Sequence, residues 1–405
     1  MKLSLSVFRS LIFLFFSLSV VTMQAQEPKR VIPDSIRISL LTCASGEEIY
    51  SLFGHTAIRY ENYTRGIDAV FNYGIFNFNA PNFILRFALG ETDYQLGVTD
   101  YERFAAEYYY LERDVWQQEL NLTVQEKEKL VMLLEENYRP ENRIYRYNFF
   151  YDNCATRPRD LIEKSIDGTL QYAGDMTDTD SGISFRDLLH KYSKGHPWSR
   201  FGMDLCMGSQ ADKTINRRLM MFVPFYVQEY FNQARIVNKE GETRPLVLNE
   251  EKIIVTGSEE AEQPSDGFTP MQTALLLLIL TAAATLYGIR RKKTLWGIDL
   301  VLFFAAGMAG CILTFLVLFS QHPAVSPNYL LFVFHPLHLF CLPCMLNRVR
   351  KRKRSRYMLA NFIVLTLFIL LWLVIPQRFP LAVLPLALCL LIRSASNLIL
   401  TYDKK

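Results

Sequence analysis

The chain has 405 residues, half of them hydrophobic, and a formal net charge of +4 at pH 7. This length is sufficient for two domains. The sequence lacks a GxxxxGK phosphate loop, a GxGxxG turn after a predicted strand, and a zinc-type spacing of His and Cys within residues 30–256. Their absence argues against nucleotide-dependent enzymes and nucleic-acid binders, and we predict neither a metal nor an organic cofactor.

The first 25 residues have the features of a secretory signal peptide. Lys2 precedes an apolar run at 11–21, and Ala25 provides a small residue at a suitable cleavage position. The alternative is an uncleaved anchor helix, although the apolar run is shorter than the ~20 residues that span a bilayer. We therefore expect the next segment, residues 30–256, to fold on the exported side of a membrane.

Cysteine usage leaves at least one thiol of this domain unpaired. Only Cys43, Cys154 and Cys206 lie in residues 30–256, and an odd number cannot pair completely in an oxidising compartment. A pair between Cys43 and Cys206 is one arrangement that the sequence leaves open. Thr42 precedes Cys43 where a lipidation signal would have Gly or Ala, so we expect no lipid on Cys43.

The first domain is predicted to contain both strands and helices. β-Branched and aromatic residues dominate three early segments, and Asn62 and Gly66 provide a turn between the second and the third. Thr123 and Glu126 form a capping box at the start of a helix that ends before Pro140. The predicted strands lie at 35–43, 50–62 and 68–78, and the predicted helices at 99–113 and 123–138. This pattern indicates an α+β fold with an antiparallel strand pair.

Cys154 follows an aromatic extended segment and stands at the predicted start of a helix. Unpaired backbone N–H groups and the helix dipole favour a thiolate there, and Arg157 and Arg159 add positive charge. A nucleophilic thiolate also needs a partner that returns a proton to the leaving group. His55, on a predicted strand beside Gly54, is better placed for this than the other histidines of the domain. A disulfide or a packed, inert thiol is the alternative.

After a linker at 257–270, residues 271–400 contain five apolar stretches of the length that spans a bilayer. They lie at 271–289, 295–319, 329–346, 357–375 and 379–400. Prolines interrupt the third and the fifth, and neighbouring helices can satisfy the carbonyl groups that proline frees. We therefore predict an all-α bundle of about five transmembrane helices.

The basic residues predict the orientation of this bundle. Segments 290–293 and 347–356 and the C-terminal DKK are basic, whereas 320–328 has no Lys or Arg and 376–380 has one. Because cytoplasmic loops retain Lys and Arg, we expect the basic ends and the C-terminus in the cytoplasm of a bacterium, with the first domain periplasmic. His322 and Asn328 then lie at the exported mouth of the bundle as candidate contacts to lipid headgroups, or as helix caps.

Four segments together resemble the exported domain of the Lnb-type lipoprotein N-acyltransferases. They are FGHTAIR at 53–59, NYGIFNF at 72–78, YNFFYDNCATRPRD at 147–160 and WSRFGMDLCMGSQAD at 198–212. The resemblance extends over essentially the whole chain, including the membrane half. The order of an early His and a later Cys is also similar to that of the circularly permuted papain-like thiol enzymes, including the NlpC/P60-like ones, and it implies such a thiol fold for the α+β domain.

In those permuted enzymes a polar group on the next strand orients the histidine. The resemblance places this residue within NYGIFNF, where Asn72 is our choice. Asn77 and Asp68 remain alternatives, because a shift of one residue in register points a different side chain inward.

The family resemblance implies an enzyme of the bacterial inner membrane that uses Cys and His. Cys154 would take an acyl chain from a membrane phospholipid as a thioester, with His55 as base, and pass it to the N-terminal amine of a lipoprotein's lipidated cysteine. Asn153 and backbone N–H groups at the helix start would stabilise the oxyanion. Arg157 and Arg159 would hold phosphate, or else pair with acidic residues of their own helix.

Two other functions compete with this one. The first is a membrane-tethered cysteine hydrolase of cell-wall peptide, because related permuted folds include peptidases. The second is a non-catalytic membrane scaffold in which Cys154 has a structural role.

Overall fold

The computed structural model describes residues 36–179, 182–257 and 267–402. The predicted signal peptide at 1–25 lies outside the described residues, as does most of the predicted linker at 257–270. The described residues form a first domain of strands and helices and then a helical region.

The elements of the first domain follow the predicted order, with strands at the three predicted early segments and helices at the two predicted ranges. The strands are β1 (Ile36–Cys43), β2 (His55–Asn62), β3 (Ile67–Ile75), β4 (Asp93–Asp100), β5 (Val115–Leu120), β6 (Ile144–Arg146), β7 (Thr169–Gln171), β8 (Arg235–Val237), β9 (Thr243–Pro245) and β10 (Val247–Ile254). The helices are α1 (Phe83–Leu89), α2 (Tyr101–Tyr110), α3 (Val124–Tyr138), α4 (Thr156–Ser165), α5 (Phe185–Tyr192), α6 (Pro197–Cys206), α7 (Arg217–Met220) and α8 (Pro224–Gln233).

Within the described residues, seven strands form one antiparallel sheet in the order β10-β5-β1-β2-β3-β4-β6. A smaller sheet contains β7, β8 and β9. The predicted antiparallel pair is confirmed, because β1, β2 and β3 are successive neighbours. The predicted capping box is also present, since the Thr123 side chain accepts from Glu126 N while the Glu126 carboxylate accepts from Thr123 N. The α+β class is therefore confirmed, whereas the papain-like topology stays a prediction.

Alternate side chains of the central strands point to opposite faces of the sheet, and both faces are covered. On one face, Leu40 and Ile58 are fully buried against Ile162 of α4 and Phe231 of α8. On the other face, Leu41 and Ala57 pack with the aromatic residues of α2. Burial of each large apolar side chain contributes about 1.5–3 kcal/mol to the stability of the fold. This burial holds the central strands, and therefore the residues at their ends, in place.

The helical region contains α9 (Pro270–Arg290), α10 (Trp296–Phe319), α11 (Leu337–Phe340), α12 (Leu342–Arg350), α13 (Arg356–Leu370) and α14 (Val383–Tyr402). Of the described helices, only α9, α10 and α14 are individually long and apolar enough to cross a bilayer.

Two of the five predicted spans differ from the structure. The segment predicted at 329–346 is a pair, Tyr329–Phe340 and Leu342–Arg350, bent by 76° and able to count as a fourth span. The span predicted at 357–375 is helical only to Leu370. Its 15 residues extend about 22 Å, which is less than the ~30 Å hydrocarbon core.

The two loops with few basic residues lie against the first domain. The Gln377 side chain donates to Met207 O at 3.1 Å, and Gly208 N donates to Ala324 O at 2.8 Å. At the other end of the helices, the Arg352 guanidinium donates to Lys292 O, so the two basic loops meet. The basic loops and the loops with few basic residues thus lie at opposite ends of the helices, as the charges predicted.

Candidate active site

Cys154 lies in the turn between β6 and α4, two residues before the helix begins at Thr156. Asn153 holds this turn. Its Oδ1 accepts from the backbone N–H of Ala155 and of Thr156, each at 2.9 Å, while its Nδ2 donates to Phe149 O and Phe222 O at 2.9 and 2.8 Å. Both amide hydrogens of Asn153 are thus donated to backbone carbonyls. The predicted stabilisation of an oxyanion is therefore left to backbone N–H groups.

The Cys154 thiol packs against the beginning of β2 and the end of β3. The backbone N–H of Thr56 and that of Cys154 itself lie close to the sulfur and favour its thiolate. A Cβ placed on Gly74 would lie 3.4 Å from the Cys154 Cβ. Gly74 has a φ of +93°, and the β3–β4 register shifts around it. The missing side chain at position 74 leaves room beside the thiol.

His55 begins β2 and is the residue before Thr56, so its backbone adjoins the N–H that faces the sulfur. Its Nε2 lies 3.2 Å from Asn72 Oδ1 on the neighbouring strand. The Asn72 amide nitrogen lies 3.4 Å from Val70 O, which assigns Oδ1 to the histidine as an acceptor. His55 therefore donates through Nε2 and keeps Nδ1 as the basic nitrogen.

Of the three candidate orienting residues, Asn72, the first choice from the sequence, is the one in contact with His55. The alternative Asp68 receives two hydrogen bonds from the Arg59 guanidinium, at 2.8 and 2.6 Å. Asn77 Oδ1 accepts from the backbone N–H of Asn79. The β2–β3 register pairs Asn72 with Ala57, which puts Asn72 diagonal to His55 on the same face of the sheet.

The surroundings of Cys154 and of His55 each favour the neutral form of the side chain. Burial raises the pKa of Cys154 to about 11, although the nearby backbone N–H groups and the charge of Arg113 act in the opposite direction. Burial and the Arg113 charge lower the pKa of His55 to about 4, while the hydrogen bond to Asn72 raises it. The backbone N–H groups of this turn favour a thiolate, as expected from the sequence, but burial acts more strongly in the opposite direction.

Arg113 is a feature of the site that sequence reasoning missed. It follows α2, donates to Ala44 O, and lies 5.0 Å from the centre of the Tyr108 ring. Its charge lowers the pKa of both His55 and Cys154. No local motif marks Arg113, because its proximity to the thiol depends on the order of the strands.

Arg157 and Arg159, which were expected to favour the thiolate, have other partners. Arg157 binds both carboxylate oxygens of Asp152 at 2.6 and 2.7 Å and lies 3.5 Å from the centre of the Tyr145 ring. Arg159 is buried and donates to Asp160 at 2.8 Å. For Arg159 the alternative of pairing within its own helix is thus the observed one.

Cys43 is a second thiol close to His55. The β1–β2 register pairs Cys43 directly with His55. The Cys43 side chain is fully buried and forms a hydrogen bond with the Tyr108 hydroxyl, and burial raises its pKa to about 12. Cys43, Cys154 and Cys206 are all free thiols, so the Cys43–Cys206 pair that the sequence left open is not formed.

His322 and Asn328 lie where the first domain meets the membrane helices. His322 Nε2 donates to Phe87 O at 2.6 Å. Asn328 is buried, donates to Leu205 O at 2.8 Å, and accepts from Leu330 N at 3.0 Å as the cap of the 3-10 helix Tyr329–Phe332. For Asn328 the helix-cap alternative is the observed one, and both residues connect the two parts of the chain.

These features define a class of protein: a membrane protein whose α+β domain holds a thiol beside the strand that carries an Asn-oriented imidazole. Two family models match the sequence, the Lnb N-terminal periplasmic domain over residues 24–190 and the Lnb transmembrane domain over residues 262–405. The chain therefore belongs to the Lnb family, and its first domain is periplasmic. Comparisons with curated proteins and with solved structures found no match.

Proposed function

We propose that this protein is a lipoprotein N-acyltransferase in which Cys154 carries the acyl group. The observation that carries the proposal is the packing of the Cys154 sulfur against Thr56 N–H, next to a His55 whose Nε2 is held by Asn72. This arrangement leaves Nδ1 of His55 to receive the thiol proton. Membership of the Lnb family supports an enzyme that processes lipoproteins.

In the first step, the Cys154 sulfur attacks an ester carbonyl of a membrane phospholipid as the thiol proton passes to His55 Nδ1. The negative charge on the carbonyl oxygen is stabilised by backbone N–H groups, for which those of Thr56 and Cys154 are the candidates near the sulfur. The ester C–O bond then breaks, and the imidazolium returns the proton to the departing lysophospholipid oxygen. The product is an acyl thioester on Cys154.

In the second step, the neutral N-terminal amine of the lipoprotein attacks the thioester carbonyl. An amide bond forms and the C–S bond breaks. His55 takes the excess proton of the nitrogen and delivers it to the departing sulfur, so the neutral thiol is regenerated. A thiol that is neutral at rest suits this cycle, because the imidazole generates the nucleophile only when an acyl donor is present.

The membrane region supports a site fed from the bilayer. We propose that the chain crosses the bacterial inner membrane five times, with the bent pair and the segment 356–377 as crossings, because Gln377 contacts Met207 of the periplasmic domain. The basic loops and the C-terminus are then cytoplasmic. Donor and acceptor are both anchored in the same membrane, which raises their local concentration at a tethered thiol.

The experiment that tests this function is mass spectrometry of the purified protein after incubation with a labelled phospholipid in vesicles. We expect an acyl adduct on Cys154 that hydroxylamine removes, and loss of this adduct with transfer of the label when a diacylated lipopeptide is added. Peptide cleavage without acyl transfer would support the cysteine hydrolase instead. Absence of both activities, with normal lipoprotein acylation in cells that carry Cys154→Ser, would support the scaffold.

A further inference from the structure

Helix α1 presents apolar side chains to the surroundings of the domain. None of its residues is buried, and Ile84 is 83% exposed, with Leu85 and Phe87 each 50% exposed. Phe78, in the loop before α1, is also largely exposed. A contiguous apolar surface of this kind on a folded domain marks a place where it meets another apolar partner.

The position of α1 indicates what that partner is. Its C-terminal end rests on the loop that follows transmembrane helix α10: Gln321 N donates to Leu89 O at 2.8 Å and His322 Nε2 donates to Phe87 O. The Phe87 ring also lies 5.7 Å from the His322 ring. In the proposed topology α10 ends at Phe319 on the periplasmic side, which would put the exposed face of α1 where the hydrocarbon core gives way to headgroups.

A continuous series of aromatic rings leads from this face to the thiol. Successive ring centres lie 6.1 Å apart for Phe87–Phe83, 5.9 Å for Phe83–Phe76, 5.1 Å for Phe76–Tyr94 and 4.0 Å for Tyr94–Tyr147. At the far end, a Cβ on Gly74 would lie 3.8 Å from the Tyr147 ring and 3.4 Å from the Cys154 Cβ. The series thus ends in the space beside the sulfur.

We propose that the exposed face of α1 binds the acyl chain of a phospholipid from the periplasmic leaflet, and that the ring series directs this chain to Cys154. The inference rests on the proposed function and assigns the acyl-chain subsite to residues 76–87, Tyr94 and Tyr147. The exposed aliphatic side chains and the aromatic rings select the hydrocarbon chain rather than the phosphate, and the one charged residue of α1, Arg86, is paired with Asp93. The space left by Gly74 receives the carbonyl end of the chain.

The test uses the full-length protein in vesicles containing a phospholipid with a diazirine near the end of its acyl chain. The background is Cys154→Ala, so that binding is measured without chemistry. We expect photo-crosslinks within residues 76–87, reduced at least tenfold by Ile84→Glu and by Leu85→Glu. Ile84→Leu, which keeps the apolar surface, should retain them. Met132→Glu on α3 is the matched control, since Met132 is also exposed, at 60%, but is not part of the ring series.

A second measurement separates this inference from the proposed function. With Cys154 intact, Ile84→Glu should raise the KM for vesicle phospholipid at least tenfold, while Met132→Glu, which lies outside the subsite, keeps the KM within threefold of wild type. Crosslinks to α1 without any acyl adduct in the intact protein would sustain the subsite and reject the transferase. Normal adduct formation in Ile84→Glu, or crosslinks that this variant leaves unchanged, would overturn the subsite and leave the transferase intact.

Discussion

Two thiols, Cys43 and Cys154, lie close to His55, and they differ in how far each is buried. Cys43 faces His55 across the β1–β2 pair but is sealed in the layer under α2, with the Tyr108 hydroxyl as its partner. Cys154 lies in a turn beside Gly74, which has no side chain. Burial raises the pKa of both thiols, to about 12 and about 11. Cys154 is only partly buried whereas Cys43 is fully buried, so exposure of the residue, rather than acidity of the thiol, distinguishes the candidate nucleophile.

The largest expected effect is the loss of acyl transfer when each thiol is replaced in turn. Cys154→Ser should reduce transfer at least about 10³-fold, because a hydroxyl is a much weaker nucleophile in a site built around sulfur. Cys43→Ser should leave the rate within about threefold, since serine keeps a partner for Tyr108. Initial rates of labelled acyl transfer to a lipopeptide measure both. Equal losses in folded proteins would show that the two surroundings are not functionally different.

The next effect concerns the base. His55→Ala should reduce thioester formation on Cys154 by about 10²–10⁴-fold, the usual contribution of a general base. In the wild type, thioester formation should fall as the pH drops through about 4, because the imidazole must be neutral to accept the thiol proton. A rate independent of pH down to 3, or an unaffected His55→Ala variant, would remove His55 from the mechanism.

The resting state of the thiol can be measured by alkylation with iodoacetamide. A thiol with a pKa of about 11 reacts through a small thiolate fraction, so the rate at Cys154 should rise about tenfold per pH unit between 7 and 10. Peptide mapping separates Cys154 from the other cysteines, and Cys43 should remain unmodified in the folded protein. A rate at Cys154 that is already maximal at pH 7 would instead indicate a thiolate–imidazolium pair.

Asn72→Ala tests a positioning role with a smaller effect, about tenfold on the rate of thioester formation. The hydrogen bond from His55 to Asn72 raises the histidine pKa, so its loss should move the acid limb of the pH profile to lower pH. Asn72→Asp should keep an acceptor for Nε2 and move the limb in the opposite direction. A rate loss in Asn72→Ala with no shift of the limb would indicate a packing role only.

Much of the site could be predicted from sequence, and the remainder depends on contacts between distant elements. The predicted helix start and strand indicated Cys154 and His55 as candidates, the family resemblance added Asn72, and the capping box at Thr123 located a helix. Arg113 could not be found this way, because β5 reaches the site only through its pairing with β1. The docking of α1 on His322 joins segments 235 residues apart.

The membrane region shows a different limit. An apolar stretch at 357–375 has the composition of a span, yet the helix ends at Leu370 and its continuation turns towards Gln377, which binds the periplasmic domain. Composition predicts residence in a bilayer. It does not specify where a helix ends, nor that Gln377, beyond the end of this one, contacts Met207 and Asn328.

The smallest expected effect comes from Arg113, whose charge acts on the thiol and on the imidazole. Arg113→Gln should raise the pKa of both groups, because a positive charge disfavours the imidazolium and favours the thiolate. The acid limb of thioester formation should therefore move to higher pH, while alkylation of Cys154 at pH 8 slows a few-fold. Arg113→Lys keeps the charge and serves as the control. If Gln and Lys variants shift the two profiles equally, the effect comes from lost packing on Tyr108, and the charge does not act on Cys154 and His55 together.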